Sequence, residues 1–394
     1  MNENTALRLL SRVMQWGDER SRDEFEWLRL ISAVKYDSYR DFVAGVRFLE
    51  SLVGWLLQFD AGNGPSSDRE VAYDFIRHKL IFIGALERER LVELIYPRVA
   101  LPHWLGNIAG RRGIAPWQVY ITPDATEELD VERCTTLFLG LSDGARLDSF
   151  RHVNVGRISN EQVVVGTQLD SEKWSDLRGE LAKDLVGLKS SAEPKFRTIY
   201  LVDDFAGSGT SFIRTETDES DGKPVWKGKL LRFLRSLQHS GAFAEDWTLV
   251  VHHLVMTRKA VDHLTKAIDQ VRQGYVGPPD ERPLPWFHDF KVTHCLLYED
   301  DIQLGIGSDF DRLTRNYYDE RIETKATRKG GVDHLGRGYA DCALPLVLDH
   351  NTPNNSVGLL WAESPGGDFK NPPKYPEAPH RMRPLFRRRQ RHTK

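Results

Sequence analysis

The stretch from Thr198 to Ser211 restricts the fold of this chain more than any other part of the sequence. A short apolar run ends in two adjacent carboxylates, Asp203 and Asp204, and a glycine-rich segment begins three residues later at Gly207. This order predicts a buried strand whose carboxyl end presents two acids and then a tight turn. In an open α/β sheet, ligands bind at that edge.

The glycine-rich segment is suited to binding an anion. Its small residues let backbone N–H groups approach a phosphate, and we expect the N-terminus of a following helix to add its dipole. Two acids beside an anion site are compatible if the ligand is a sugar phosphate, because carboxylates accept hydrogen bonds from vicinal hydroxyls. A Walker A loop would need a lysine here, and a dinucleotide-binding loop would need glycine at Phe212. An acidic strand end followed by a capped turn remains the structural alternative.

The same order of residues resembles the PRPP-binding loop of the type I phosphoribosyltransferases. The resemblance implies that Asp203 and Asp204 are catalytic residues that hold the ribose 2′ and 3′ hydroxyls, with Mg²⁺ carried by the PRPP or nucleotide rather than bound directly by protein ligands. Where purine enzymes of that family carry an acid that handles the base proton, this chain has Gly207, which favours ribose-phosphate binding over purine salvage. By resemblance, the 5′-phosphate is held by Gly207, Ser208, Gly209, Thr210 and Ser211.

Periodicity predicts an α/β fold with a mainly parallel sheet flanked by helices and an all-helical N-terminal lobe, and the resemblance implies a C-terminal hood. Helices are expected over Tyr39–Leu56 and from a cap at Ser67 or Asp68 through Ile83, and an acidic insert at Glu216–Asp221 is expected to interrupt the helix after the glycine-rich loop. The predicted strands are Gln118–Ile121, Thr135–Leu141, Gln162–Val165, Thr198–Val202, Thr248–Val255 and Lys291–Leu297. The predicted helices of the core are Trp174–Leu188, Lys227–Leu237 and Arg258–Val271. The predicted domains are a helical lobe (1–112), a phosphoribosyltransferase-like core (113–305), a hood (306–379) and a basic disordered tail (380–394).

Two further segments are candidates for ligand contacts. The first follows the predicted strand Thr135–Leu141, where the resemblance places a diphosphate-contacting loop; a plain turn with a surface ion pair is the alternative. The second lies in the hood, where side-chain amides are candidates for binding a second substrate; a structural loop is the alternative. The diphosphate candidates are Asp143, Gly144 and Arg146, and the second-substrate candidates are Asn351, Asn354 and Asn355.

Composition bears on the compartment and on partners. Cys134, Cys295 and Cys342 are far apart in apolar surroundings, which predicts buried free thiols in a reducing, cytoplasmic compartment. No charge-free stretch is long enough to span a membrane. The last fifteen residues contain seven Arg and Lys and no acid, which suits a nucleic acid or an acidic partner surface; a solvated tail without a partner is the alternative. The sequence does not decide whether the protein forms an oligomer.

The whole arrangement also resembles the phosphoribosyltransferase-like proteins of bacterial conflict systems, including some retron-type antiphage operons. That resemblance implies an antiphage effector that transfers or hydrolyses at ribose C1, as a phosphoribosyltransferase or as a nucleotide N-glycosidase acting as a toxin. The basic tail would then contact the nucleic acid or the reverse transcriptase of the operon. The alternative is a catalytically inactive module that binds PRPP or a nucleotide and docks nucleic acid or a partner protein through its tail.

Overall fold

A five-stranded parallel sheet carries the Asp203–Asp204 segment in the computed structural model of this chain. The structure describes residues 1–39, 47–62, 67–166, 169–217, 222, 224–238, 240–277, 283–324, 334–364 and 382–388. These residues belong to two compact units, one formed by residues 1–87 and 300–394 and the other by residues 88–299. The predicted domains are divided differently, with boundaries after residues 112, 305 and 379.

The unit of residues 88–299 contains the sheet. Its strands are β2 (Thr136–Gly140), β3 (Val163–Val164), β4 (Phe196–Ala206), β7 (Phe243–Thr257) and β8 (Asp289–Tyr298). They lie in the order β3-β2-β4-β7-β8, and every neighbouring pair is parallel. This confirms the α/β class and the mainly parallel sheet. Five of the six predicted strands lie in this sheet.

The sixth predicted strand, Gln118–Ile121, is wrong. The structure has a 3₁₀ helix at Pro116–Tyr120, begun by Pro116 and by the Gln118 side chain, which accepts a hydrogen bond from the Ala115 N–H at 2.7 Å. Only Val119 of this helix is buried, so no sheet face is available to hold the run extended.

Helices flank the sheet and its core, as predicted. The longest core helices begin at side-chain caps: Asp170 accepts from the N–H of Lys173, and Thr257 accepts from the N–H of Ala260. The helices of this part of the chain are α5 (Ala85–Leu94), a π-helix (Ile95–Ala100), α6 (Leu101–Arg112), α7 (Pro123–Cys134), α8 (Leu147–Val153), α9 (Ser171–Gly187), α10 (Lys229–Leu237) and α11 (Arg258–Gly274).

A two-stranded antiparallel hairpin lies between the glycine-rich loop and α10. It consists of β5 (Arg214–Thr217) and β6 (Pro224–Lys227). The predicted acidic insert, Glu216–Asp221, begins on β5, and its residues 218–221 lie outside the described part of the chain. An insert between the loop and its helix is therefore present, and its described part is a hairpin.

The unit of residues 1–87 and 300–394 is built on helices: α1 (Glu3–Met14), α2 (Asp18–Val34), α3 (Phe48–Leu56), α4 (Asp68–His78), α12 (Asp309–Asn316) and α13 (Gly358–Trp361). Its N-terminal part is not purely helical, because β1 (Ile81–Ile83) pairs in parallel with β9 (Leu346–Leu348). Ser67 caps α4 as predicted, but this helix ends before β1 rather than continuing through Ile83. Of the predicted helix Tyr39–Leu56, residues 48–56 are helical and residues 40–46 lie outside the described part.

The prediction of a disordered tail is wrong for residues 382–388. Met382, Leu385 and Phe386 are buried in the hydrophobic core of this unit, and the N–H groups of Leu385 and Phe386 donate to the Leu360 carbonyl at 3.0 and 2.9 Å. The apolar side chains between the arginines anchor the segment. Residues 380, 381 and 389–394 lie outside the described part. None of the helices in the described ranges is long and apolar enough to span a membrane.

Candidate ribose-phosphate site

Asp203 ends the buried part of β4 and is held by three groups. It is 5% exposed. Its Oδ1 accepts hydrogen bonds from the Ser142 hydroxyl and, at 3.1 Å, from the N–H of Asp204. Its Oδ2 accepts from Lys229 Nζ at 2.6 Å. A buried carboxylate is stable only with such partners, so these contacts fix the orientation of Asp203.

Asp204 lies directly against the loop that follows β2. A Cβ atom placed on Gly144 would be only 2.6 Å from Asp204 Cγ, so nothing larger than glycine fits there without displacement. Asp204 Oδ1 accepts a hydrogen bond from the N–H of Phe205 at 2.8 Å. The structure thus brings the predicted diphosphate loop, through Ser142 and Gly144, into contact with both members of the acid pair.

Arg146 of that loop has other partners. Its backbone is left-handed, with φ 50°, and its guanidinium donates to Asp148 Oδ1 at 3.2 Å and to Ser149 Oγ at 2.8 Å. Glu89 lies 3.6 Å from the same guanidinium. These contacts match the surface ion pair that was the alternative for this loop, and its role toward diphosphate stays a prediction.

The glycine-rich loop is a compact turn with unpaired donors. Gly209 has φ +72° and packs so closely against α11 that a Cβ would lie 2.9 Å from Leu264 Cγ. The Gly207 carbonyl accepts from Thr257 Oγ1 at 2.6 Å, and the Ser208 hydroxyl bonds Thr210 Oγ1 at 3.0 Å.

Three backbone N–H groups of this loop, those of Ser208, Gly209 and Ser211, donate to no acceptor within the described ranges. Ser208 and Gly209 are also buried residues. Since unpaired backbone donors at buried positions are rare, their clustering in one turn is the geometry of an anion-binding nest.

The helix expected to begin directly after this loop does not. The chain enters β5 instead, and α10 begins only at Lys229, after the hairpin. Nevertheless α10 packs on the loop: the N–H of Lys229 donates to the Ser211 carbonyl at 3.3 Å, and that of Leu230 donates to the Phe212 carbonyl at 3.0 Å. Gly228, with φ 147°, permits this approach, because a Cβ there would lie 2.9 Å from Ile213 Cα.

Three site residues were missed by sequence reasoning: Ser142, Lys229 and His253. Ser142 precedes the named candidates by one residue, so its position was the available signal. Lys229 is separated from the loop by the hairpin, and no local pattern connects the two. His253 is the register partner of Asp203 on β7, and only strand alignment could have identified it.

His253 is buried beside the acid pair and is neutral near pH 7. Burial lowers its pKa from 6.5 to about 4, with Asp203 raising and Lys229 lowering the value. Its Nδ1 is buried without a hydrogen-bond partner in the described part of the chain. The site therefore contains one buried carboxylate, one lysine and one uncharged imidazole.

Thiols and metal-binding side chains are other candidates for reactive groups in the described part of the chain. Burial raises the pKa of Cys134 to about 11 and that of Cys295 to about 12, so both are protonated at neutral pH. Cys295 is only partly buried, whereas Cys134 and Cys342 are buried, and all three are free thiols. Within the described ranges, no three His, Cys, Asp or Glu side chains form a group that could hold a metal ion.

The second-substrate candidates lie in the other unit and are partly engaged there. The Asn355 amide donates to the Tyr339 carbonyl at 3.1 Å and to Cys342 Sγ at 3.3 Å. The Asn354 carbonyl accepts from the N–H of Tyr339 at 2.6 Å, and the N–H of Asn351 donates to the Leu348 carbonyl at 3.1 Å. These bonds match the structural-loop alternative, and binding of a second substrate by the three asparagines stays a prediction.

Comparison with known proteins identifies the family of the chain. Neither the curated proteins nor the solved structures gave a match to the chain. A family model described as PRTase-CE matches residues 52–388, a span that includes the whole sheet, the acid pair and the glycine-rich loop. The chain therefore belongs to the PRTase-CE family, a phosphoribosyltransferase-like family.

Proposed function

We propose that this protein binds a ribose 5-phosphate ligand, either PRPP or a nucleotide, and catalyses a reaction at ribose C1. The observation that carries the proposal is the placement of two fixed carboxylates and three unpaired N–H donors around the end of one strand. Family membership supports the same chemistry at the level of phosphoribosyl transfer.

Each part of the site has a role in this proposal. The N–H groups of Ser208, Gly209 and Ser211 hold the 5′-phosphate, since unpaired amides in a nest bind anions. Asp203 and Asp204 accept hydrogen bonds from the 2′ and 3′ hydroxyls. The 142–146 loop, which touches both acids, lies beside the leaving group. Mg²⁺ would be held by the diphosphate of the ligand, as the resemblance implies, and would neutralise negative charge there.

The reaction breaks the bond between C1 and its leaving group, whose atom keeps the electron pair. C1 then carries oxocarbenium-like positive charge, which the buried carboxylate of Asp203 and its neighbour Asp204 stabilise electrostatically. A lone pair from the acceptor forms the new bond to C1, and the acceptor loses a proton. A base or a protein group as acceptor gives phosphoribosyl transfer; water gives hydrolysis, which for a nucleotide is the N-glycosidase reaction of a toxin.

A second function, ligand binding without turnover, is favoured by two observations. Lys229 Nζ already donates a hydrogen bond to Asp203 Oδ2, so this oxygen is not free for a ribose hydroxyl. Position 207 is glycine, so it has no carboxylate that could handle the proton of a purine base. In that case the protein is a regulatory module that docks nucleic acid or a partner protein through its basic C-terminal residues. The antiphage role and the reverse-transcriptase partner rest on the resemblance to bacterial conflict systems.

Mass spectrometry of a nucleotide pool with PRPP and Mg²⁺, incubated with the protein, separates these functions. The enzyme consumes one ligand class and releases diphosphate or free base, and the Asp203→Asn, Asp204→Asn double variant loses this turnover. The matched control is the other Asp-Asp pair of the chain, as Asp300→Asn, Asp301→Asn, which should keep the turnover. Turnover that survives in the first variant refutes catalysis by these acids. Ligand retention on the protein without products supports the regulatory module.

A further inference from the structure

The contacts of Lys229 join the two halves of the proposed site. Its Nζ lies 2.6 Å from Asp203 Oδ2, while its own N–H donates to the Ser211 carbonyl of the glycine-rich loop at 3.3 Å. One residue therefore touches both the carboxylate assigned to the ribose and the loop assigned to the phosphate. Its side chain is 25% exposed, whereas that of Asp203 is 6% exposed, so the ammonium lies at the solvent edge of the pair.

The position of Lys229 relative to the loop is fixed by its backbone. The tight packing of Gly228 against Phe212 and Ile213 holds the start of α10 on the loop. The lysine side chain, by contrast, is a flexible four-carbon stem with a compact charge, which can change partners without moving the helix. A fixed backbone and a mobile charge are the requirements for an exchange between two neighbouring anions.

Two other cations of this part of the chain, Arg214 and Lys227, share one carboxylate on the hairpin. Arg214 donates to Glu216 Oε1 at 2.7 Å and to the Thr210 carbonyl at 3.2 Å. Lys227 lies 3.4 Å from the same glutamate. Lys229 differs from these two cations, because its partner Asp203 is the carboxylate assigned to a ribose hydroxyl.

We infer that Lys229 is the phosphate-binding cation of this site and exchanges Asp203 for the 5′-phosphate when ligand binds, an inference that rests on the proposed function. The N–H nest supplies dipoles but no full charge, and a phosphate dianion is a stronger partner for an ammonium than one carboxylate. Transfer of Lys229 frees Asp203 Oδ2 for a ribose hydroxyl. Binding of the phosphate thereby makes Asp203 available to the ribose. The lysine that pairs with the phosphate comes from α10, after the hairpin, and not from the glycine-rich loop itself.

Calorimetric titration with inorganic phosphate tests this exchange, because the probe contains no ribose. We expect Lys229→Met to bind phosphate at least about tenfold more weakly than the wild type, the loss expected for a charged hydrogen bond. Lys227→Met, a matched control two residues earlier at the end of the hairpin, should bind within about twofold of the wild type, on the order of what a screened surface charge contributes. Equal affinity in the wild type and in Lys229→Met overturns the inference.

Asp203→Asn provides the opposite change and keeps the test valid if Lys229→Met fails to fold. Removal of the competing carboxylate should raise phosphate affinity, and this gain should disappear when Lys229→Met is added, because the two residues act on one another. The Lys229→Met, Asp203→Asn double variant leaves no unpaired buried charge, so it should fold. An equal gain with and without Lys229 overturns the exchange.

A parallel titration with ribose 5-phosphate separates this inference from the proposed function. Lysine-dependent phosphate binding without any preference for ribose 5-phosphate refutes the proposed function. Preferential binding of ribose 5-phosphate whose affinity is not weakened by Lys229→Met refutes only the role of the lysine.

Discussion

Substitution of Gly144 by alanine tests the contact between the two loops of the site. The backbone of Gly144 is not left-handed, so alanine is conformationally allowed, and the effect comes from the added methyl group alone. That Cβ would lie 2.6 Å from Asp204 Cγ and 3.1 Å from Asp204 Cβ. Since Asp204 Cβ is fixed to the backbone of β4, rotation of the carboxylate alone does not relieve the contact.

The distances set the magnitude. Ordinary contact begins near 3.4 Å, so the carboxylate carbon or the 142–146 loop must move by about 0.8 Å. Overpacking of this kind costs about 1–3 kcal/mol of unfolding free energy. A displacement approaching 1 Å in a binding group costs on the order of 100-fold in function. We therefore expect Gly144→Ala to weaken ribose 5-phosphate binding by on the order of 100-fold while the protein stays folded.

Denaturant unfolding and calorimetry measure the two effects. Gly179→Ala is the matched control, because this helical glycine of α9 has nothing within 4 Å of its added Cβ. It should leave binding unchanged and stabilise the helix by roughly 0.5–1 kcal/mol. In an Asp204→Ala background, the stability cost of Gly144→Ala should become smaller, because only the 3.1 Å contact with the Cβ of residue 204 remains. The same cost in both backgrounds would refute the reasoning.

Two further predictions concern His253 and the C-terminal segment. The folded pKa of His253 is about 4, below its ordinary 6.5, so the unfolded chain binds more protons and stability falls as pH decreases through this window. The wild type should lose about 3 kcal/mol more unfolding free energy between pH 7 and pH 4 than the His253→Leu variant. Urea unfolding measures this, and the same pH dependence in both proteins would contradict the prediction. Phe386 is fully buried, so Phe386→Ala should lower the unfolding free energy by about 3–5 kcal/mol. The control Val34→Ala, at an exposed position, should change it little. Equal melting temperatures for the two variants would mean that the C-terminal segment is not packed in the core.

The acid pair and the glycine-rich loop could be read from the sequence because they are contiguous. A buried parallel strand appears as an unbroken apolar run, and its carboxyl end is where the acids follow. The 142–146 loop could be located for the same reason, since it follows the neighbouring apolar strand β2. Because β2 and β4 are parallel neighbours, their carboxyl ends lie at the same edge of the sheet, and this brings Gly144 into contact with Asp204.

Other features depend on contacts between distant residues. The strand β1 has three residues and exists through its pairing with Leu346–Leu348, which no local period reveals. Lys229 reaches Asp203 only because α10 packs back onto the loop after the hairpin. The C-terminal segment carried a local signal in Met382, Leu385 and Phe386, but its charge composition alone indicated a disordered arm.

The central claim is that the acids bind the sugar and the loop binds the phosphate. Its most direct test is the preference for ribose 5-phosphate over inorganic phosphate. Calorimetry should give the wild type a preference of roughly 10-fold or more, since each charge-assisted hydrogen bond to a hydroxyl contributes on the order of 1.5–3 kcal/mol. In the Asp203→Asn, Asp204→Asn variant, the two affinities should become nearly equal. A preference that persists in this variant would contradict the assignment of the acid pair to ribose.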